Sequence, residues 1–168
     1  MNELNKIELT FNNLKKVLVV SDIHGYGYLL DEVIELEQPD LVLLAGDHCL
    51  KPEFLDERHI VYVAGNNDDW GPERLVINLN GMRVGLIHGH KQFSFTHWET
   101  KLENEFAEDN VDLIIYGHSH KESFDNYKKP YILNPGSLAL PRNKNLSRTY
   151  VLIDFINNKT EVLFKTYR

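Results

Sequence analysis

Residues 15–25 read KKVLVVSDIHG, an apolar run that stops abruptly at Ser21, Asp22, Ile23, His24 and Gly25. Val17 to Val20 is continuously apolar, the make-up of a strand buried on both faces. A carboxylate and an imidazole two positions apart at the lip of such a strand form either a hydrogen-bonded turn or half of a metal site. The rest of the chain has to decide between them.

The pattern recurs. LVLLA (41–45) runs into Gly46-Asp47-His48, IVYVA (60–64) into Gly65-Asn66-Asn67-Asp68, RVGLI (83–87) into His88-Gly89-His90, and DLIIY (112–116) into Gly117-His118-Ser119-His120. In open α/β sheets ligands bind beyond the carboxyl ends of the strands. The clusters are therefore expected to converge, although they lie as far apart as residues 22 and 120. Imidazole and carboxylate together suit zinc, manganese, iron and similar ions.

The intervening stretches supply the rest of a layered α/β domain. Leu29, Leu30, Val33 and Ile34 recur at helical spacing, as do Trp98, Leu102 and Phe106. Asn80-Gly81 is a hairpin signal joining LVINL to MRVGLI. YIL (131–133), TYVLIDF (149–155) and TEVLFKTY (160–167), parted by polar turns such as Asn157-Asn158, suit antiparallel pairing. Within residues 1–15, IELTF predicts an edge strand or else belongs to a loose tail.

With 168 residues, 42% of them hydrophobic, the chain suits one domain spanning 1–168. Its net charge is −7, and apart from the loose group Arg142, Lys144 and Arg148 the basic residues are scattered. No stripe able to grip long nucleic acid is present. The single cysteine, Cys49, has no internal partner for a disulfide, and MNELNK does not open a signal peptide. Apolar runs fall far short of the about 20 residues that a membrane helix needs. A soluble cytoplasmic protein without a membrane partner is expected; its oligomeric state is left open, a homo-oligomer included.

Each cluster alone has an ordinary reading, since Asp-x-His arises by chance and Gly-Asp or Gly-Asn-Asn-Asp are common turn compositions. All of them at the same end of core strands are hard to explain as turns. His59 and His97 lie outside the clusters and read as structural or surface residues. A dinucleotide site, hinted at by Gly25-x-Gly27, fails because its third glycine falls at Leu30. A serine hydrolase lacks its G-x-S-x-G, and Ser119 has no base aimed at it.

The ordered set D-x-H, G-D, G-N-x-D, H-G-H and G-H-x-H, closed by N-P-G-S at 134–137, resembles the calcineurin-like metallophosphoesterases. The short length, the lack of a cap insertion and the NPGS segment are most similar to the small YfcE-type phosphodiesterases, a subgroup that includes the scaffold protein Vps29. The resemblance implies an α/β fold, a two-sheet β-sandwich flanked by α-helices in four αββα layers. It implies that Asp22, His24 and His120 hold one divalent ion, that Asn66, His88 and His118 hold a second, and that Asp47 bridges them. Manganese is favoured among manganese, zinc, iron and nickel. Hydroxide shared by ions about 3.5–4 Å apart would attack phosphorus in line, on a small phosphate ester, a diester rather than a monoester.

Other roles are open. His90 is a neighbour of the ligands, a substrate contact or an alternative to His88; Asn134, Gly136 and Ser137 shape the loop beneath, and Asp68 orients the loop of Asn66. Many phosphatases of this superfamily carry a proton-donating histidine where this chain has Asn67. An amide cannot donate a proton in that sense, so His48 and His90 are the remaining donor candidates, with His48 alternatively a loop residue turned to solvent. The rival to an enzyme is a Vps29-like scaffold without chemistry, but loss of function erodes ligands first and all the implied positions are intact.

Overall fold

The computed structural model of the chain describes residues 7–168. In one sheet, β2 (Lys16–Val20), β3 (Leu41–Leu44) and β4 (Val61–Tyr62) pair in parallel. The hairpin of β10 (Arg148–Ile156) and β11 (Lys159–Tyr167) extends this sheet antiparallel to β2, giving the order β11-β10-β2-β3-β4. In the other, β5 (Arg74–Leu79) and β6 (Met82–Ile87) form a hairpin, β7 (Leu113–Ile115) and β9 (Tyr131–Pro135) follow in parallel, and β1 (Glu8–Phe11) and β8 (Glu122–Asp125) are the edges.

Alternation along each strand builds the layers, because successive side chains point to opposite faces. Val17, Val19, Leu41, Leu43, Val151 and Ile153 meet Leu75, Ile77, Leu79, Val84, Leu86, Leu113 and Ile115 in the core between the sheets. The intervening residues Leu18, Val20, Val42, Leu44 and Leu152 face outward and are covered by helix α1 (Gly27–Glu37), through Leu29, Leu30 and Val33, and by α2 (Pro52–Glu57), through Leu55. Helix α3 (Trp98–Glu105) covers the second sheet, with Trp98 and Leu102, and Phe106 just beyond, packed on Val76, Ile114 and Ile132. The central strands β2, β3 and β7 are buried on both faces, which is why they are continuously apolar. The result is the four-layer αββα sandwich.

Both two-residue turns adopt the left-handed backbone that a tight hairpin requires: Asn80 and Gly81 have φ of 52° and 95°, and Asn157 and Asn158 have 52° and 60°. IELTF does supply the edge strand β1; residues 1–6, the remainder of the tail alternative, lie outside the described residues. Four elements differ from the sequence reading. IVYVA forms a ladder only at Val61–Tyr62. YIL lies in the other sheet from the terminal hairpin, parallel to β7. The elements α2 and β8 carry no apolar period to read: Leu55 is the single buried residue of α2, which Pro52 starts, and β8 is the mostly exposed ESFD. Among the described residues no helix is long and apolar enough to cross a membrane.

Candidate metal centre

The carboxyl ends of β2, β3, β4, β6 and β7 open at one edge of the sandwich, three from one sheet and two from the other. The clusters that follow them meet there. His120 Nε2 lies 3.2 Å from Asp22 Oδ1 and 3.2 Å from His24 Nε2. Asn66 Oδ1 lies 3.1 Å from His88 Nε2 and 3.0 Å from His118 Nδ1. Asp47 Oδ2 stands between these groups, 3.6 Å from His24 Nε2 and 3.4 Å from His88 Nε2. Every residue that the sequence nominates for metal is thus brought together.

The backbone at this edge is unusual. Asp22, His24, Asp47, His118 and His120 have φ between 48° and 69°, a left-handed conformation rare for residues other than glycine. Strain of this kind persists where surrounding structure over-determines it, and it concentrates at functional sites. Here the surroundings are identifiable. Asp22 N–H donates to Gly46 O at 3.1 Å and His24 N–H to Asp47 O at 2.9 Å, tying the loop after β2 to that after β3. Asp68 accepts from the N–H groups of Gly65, His48 and Cys49. Ser137 Oγ donates to Asp22 O at 2.7 Å, and Asn134 donates to Gly117 O at 2.9 Å and accepts from Gly136 N–H.

Gly117 and Gly65 are among the glycines required by contact. A Cβ on Gly117 would lie 2.0 Å from Ser21 Oγ and 2.8 Å from Asp22 Oδ2; one on Gly65 would lie 2.1 Å from Asp47 Oδ1.

The donor set can be tested for fit to cations. His88 Nδ1 lies 2.7 Å from Ala45 O and His120 Nδ1 lies 2.6 Å from Leu140 O. A carbonyl only accepts, so each ring carries its proton on Nδ1 and, when neutral, turns a bare Nε2 into the site. His120 Nε2 then faces Asp22 Oδ1, acceptor against acceptor, and Asp22 Oδ1 is buried without a hydrogen-bond partner. Such a contact calls for a positive charge between its atoms. Ligand atoms of Asp22, His24, Asp47 and His120 all lie within 4.8 Å of one another, and the second group adds two imidazoles and an amide oxygen. These residues fit divalent cations.

Burial alone pushes Asp47 up, but hydrogen bonds and charge from His88 and hydrogen bonds from Asn67 more than offset it and hold the carboxyl well below its usual range. Burial pulls His88 down, and Asp47 and Asp22 reverse the sign. His24 and His118 are lowered chiefly by burial, favouring the neutral form that binds metal. Burial also lowers His90, whose Nδ1 is buried without a partner and whose ring lies 5.4 Å from that of His88.

His48 requires a correction. The sequence offers it as a proton donor or a solvent-facing loop residue, and it is neither. Its ring is 0% exposed, packed 5.5 Å from Tyr62 and 4.8 Å from Trp70, with Nδ1 accepting from Leu50 N–H at 3.1 Å. A ring enclosed in this way does not reach a leaving group. Asn67 is exposed beside Asp47. Sequence reasoning missed Ser21, whose Oγ donates to Asp22 Oδ2 at 2.7 Å, and the carbonyls of Ala45 and Leu140 that orient the histidines. Backbone carbonyls leave no sequence signal; Ser21 could have been found as the polar residue ending a buried strand.

Comparison with known proteins agrees with this geometry. Residues 16–158 match the calcineurin-like phosphoesterase superfamily domain, and the chain belongs to that family. A probable metallophosphoesterase of Mycoplasma pneumoniae is 37% identical over 82% of this chain and 87% of its own length. A conserved Streptococcus pneumoniae protein, described as a predicted phosphoesterase, superposes with a TM-score of 0.78 at 30% identity, over 90% of this chain and 89% of its own. An archaeal phosphodiesterase shares the fold at 19% identity, with a TM-score of 0.67 over 89% of this chain and 99% of its own.

Proposed function

We propose that the chain is a dinuclear-metal-dependent phosphodiesterase that hydrolyses a small phosphate ester, working as one cytoplasmic domain. The observation that supports this best is the position of Asp47. One of its oxygens lies 3.6 Å from His24 Nε2 and 3.4 Å from His88 Nε2, where a single carboxylate can serve both groups of side chains. On this reading Asp22, His24 and His120 hold one ion, Asn66, His88 and His118 the other, and Asp47 bridges; zinc, iron and nickel suit the imidazoles and manganese the carboxylates, and manganese is kept as the first ion to test. When bound, such ions polarise a phosphoryl oxygen and bring the pKa of water towards neutrality.

The chain's own residues do the rest. Hydrogen bonds to Ala45 O and Leu140 O hold the His88 and His120 rings with Nε2 presented. Asn67 holds Asp47 through its backbone and side-chain amides, at 2.9 and 2.8 Å. With Asn67 where a histidine would donate a proton, and His48 enclosed, cleavage depends on a leaving group that needs little protonation. His90 remains a donor or substrate contact. A diester with an acidic leaving group suits such a site better than an alkyl monoester, and the archaeal phosphodiesterase of the same fold is a precedent. A scaffold would not need all of these side chains, which favours the enzyme.

The test is metal analysis of the purified protein coupled to a screen of phosphate mono- and diesters. Two ions per chain with diesterase turnover is the expected result. One ion or none at saturation, or a preference for monoesters, would overturn it.

A further inference from the structure

Beside the metal centre, on the His118 side, lies an aromatic cluster that the chemistry above does not use. The Phe93 ring centroid is 5.6 Å from that of His118, 5.1 Å from Phe95 and 5.0 Å from Trp98. Trp98 is a fixed floor: its indole N–H donates to Gly89 O at 3.0 Å and its ring meets Tyr116 edge-on at 4.8 Å. Lys91 pairs with Glu73, and Gln92 donates to Glu105, tethering the loop that carries Phe93. Yet Phe93 is 40% and Phe95 95% exposed. A lone exposed phenylalanine is ordinary. Two in mutual contact, braced from beneath and one ring away from a proposed metal-binding histidine, present aromatic surface where a substrate would arrive.

We infer that Phe93 and Phe95 form a stacking shelf for the nucleobase of a small nucleotide phosphodiester whose phosphate sits at the metal centre. The inference rests on the phosphoesterase reading and adds a substrate class to it. A phosphate held near His118 and Asn66 carries its organic group outward, and the shelf begins at the ring next to His118. Bases stack on aromatic faces without hydrogen-bond readout, which matches a shelf built of phenylalanine. A polymer would need several further phosphate contacts, and a chain of net charge −7 with scattered basic residues has no track for them. The shelf therefore serves a base within one small molecule.

The experiment is calorimetry on the manganese-loaded full chain with adenosine 5′-monophosphate and ribose 5-phosphate, which share the sugar phosphate and carry adenine or a hydroxyl at the anomeric carbon. Wild type should bind the nucleotide about 5- to 150-fold more tightly, the range that base–aromatic stacking gives. Phe93→Ala and Phe95→Ala should bring that ratio close to one, with ribose 5-phosphate as internal reference; Phe95 is exposed enough that its truncation leaves folding intact. Equal binding of both ligands to wild type, or a ratio that survives both substitutions, would overturn the shelf and leave the phosphoesterase reading standing. Failure of both ligands to bind would overturn the shelf and leave the phosphoesterase reading to the separate screen of mono- and diesters. Phenyl phosphate against methyl phosphate completes the set: a ring preference there without one for the nucleotide would overturn the nucleobase assignment.

Discussion

Asn67 grips Asp47 with both of its amides, the backbone N–H reaching Oδ1 at 2.9 Å and the side-chain amide reaching Oδ2 at 2.8 Å. The residue at the expected proton-donor position is thus a positioning residue for the proposed bridge. Removing such a partner typically lowers metal affinity about 10- to 100-fold. Asn67→Ala removes the side-chain bond and keeps the backbone one, and should do so with the fold intact, as read by competition with a metal indicator and by circular dichroism; unchanged affinity would show that the side-chain hydrogen bond does not orient Asp47.

Asp47 reaches both groups of side chains, whereas Asn66 belongs to one. Asp47→Ala should abolish binding of both ions and all turnover, and Asn66→Ala should retain one ion. Metal-to-protein ratios by mass spectrometry decide the matter: two ions and normal turnover in the Asp47 variant would mean that the bridge is wrongly assigned.

Without a histidine at 67, the protein should cleave aryl diesters readily and alkyl diesters poorly, since general acid catalysis contributes about 10²- to 10⁴-fold where the leaving oxygen is basic. Asn67→His should raise the alkyl-to-aryl rate ratio. The ratio is the proper readout because the same change disturbs the hydrogen bond to Asp47. A wild type indifferent to leaving group would point to His90 as a working donor.

His48 packs on Tyr62 and Trp70 with no exposed surface. Truncating a buried ring costs about 3 kcal/mol, so His48→Ala should lower Tm by about 6–12 °C and leave the alkyl-to-aryl ratio alone. A selective loss of alkyl cleavage would restore His48 as a donor.

Asp40 accepts the backbone N–H groups of Lys15 and Lys16 at 2.6 and 2.9 Å, and these bonds lower its pKa. A carboxyl whose folded value lies below its unfolded one stabilises the protein above the unfolded value, about 3.9, and loses that contribution as pH falls through the folded value. Urea midpoints should therefore drop more steeply below about pH 4 in wild type than in Asp40→Asn. Parallel curves would deny Asp40 this role.

Most of the site could be read in advance because its side chains follow strands in a fixed rhythm, apolar run and then glycine, acid or histidine. The sequence did not reveal that β2, β3 and β4 belong to one sheet and β6 and β7 to the other; equal hydrophobicity on both faces makes the strands of a double sandwich indistinguishable. It also misjudged His48, since a histidine beside an acid looks the same whether it faces the site or lies beneath Trp70. Phe93 and Phe95 passed without notice because an exposed aromatic residue in a loop has no period and gains meaning only from its distance to His118.

The left-handed backbone shared by Asp22, His24, Asp47, His118 and His120 bears on how freely this sequence can drift. At such positions a replacement must satisfy the chemistry and also tolerate a conformation that β-branched side chains resist. Asparagine, at home in that conformation, can stand in for a lost aspartate or histidine with the loops undisturbed. The metal-binding side chains can therefore be removed by substitutions that leave the architecture unchanged.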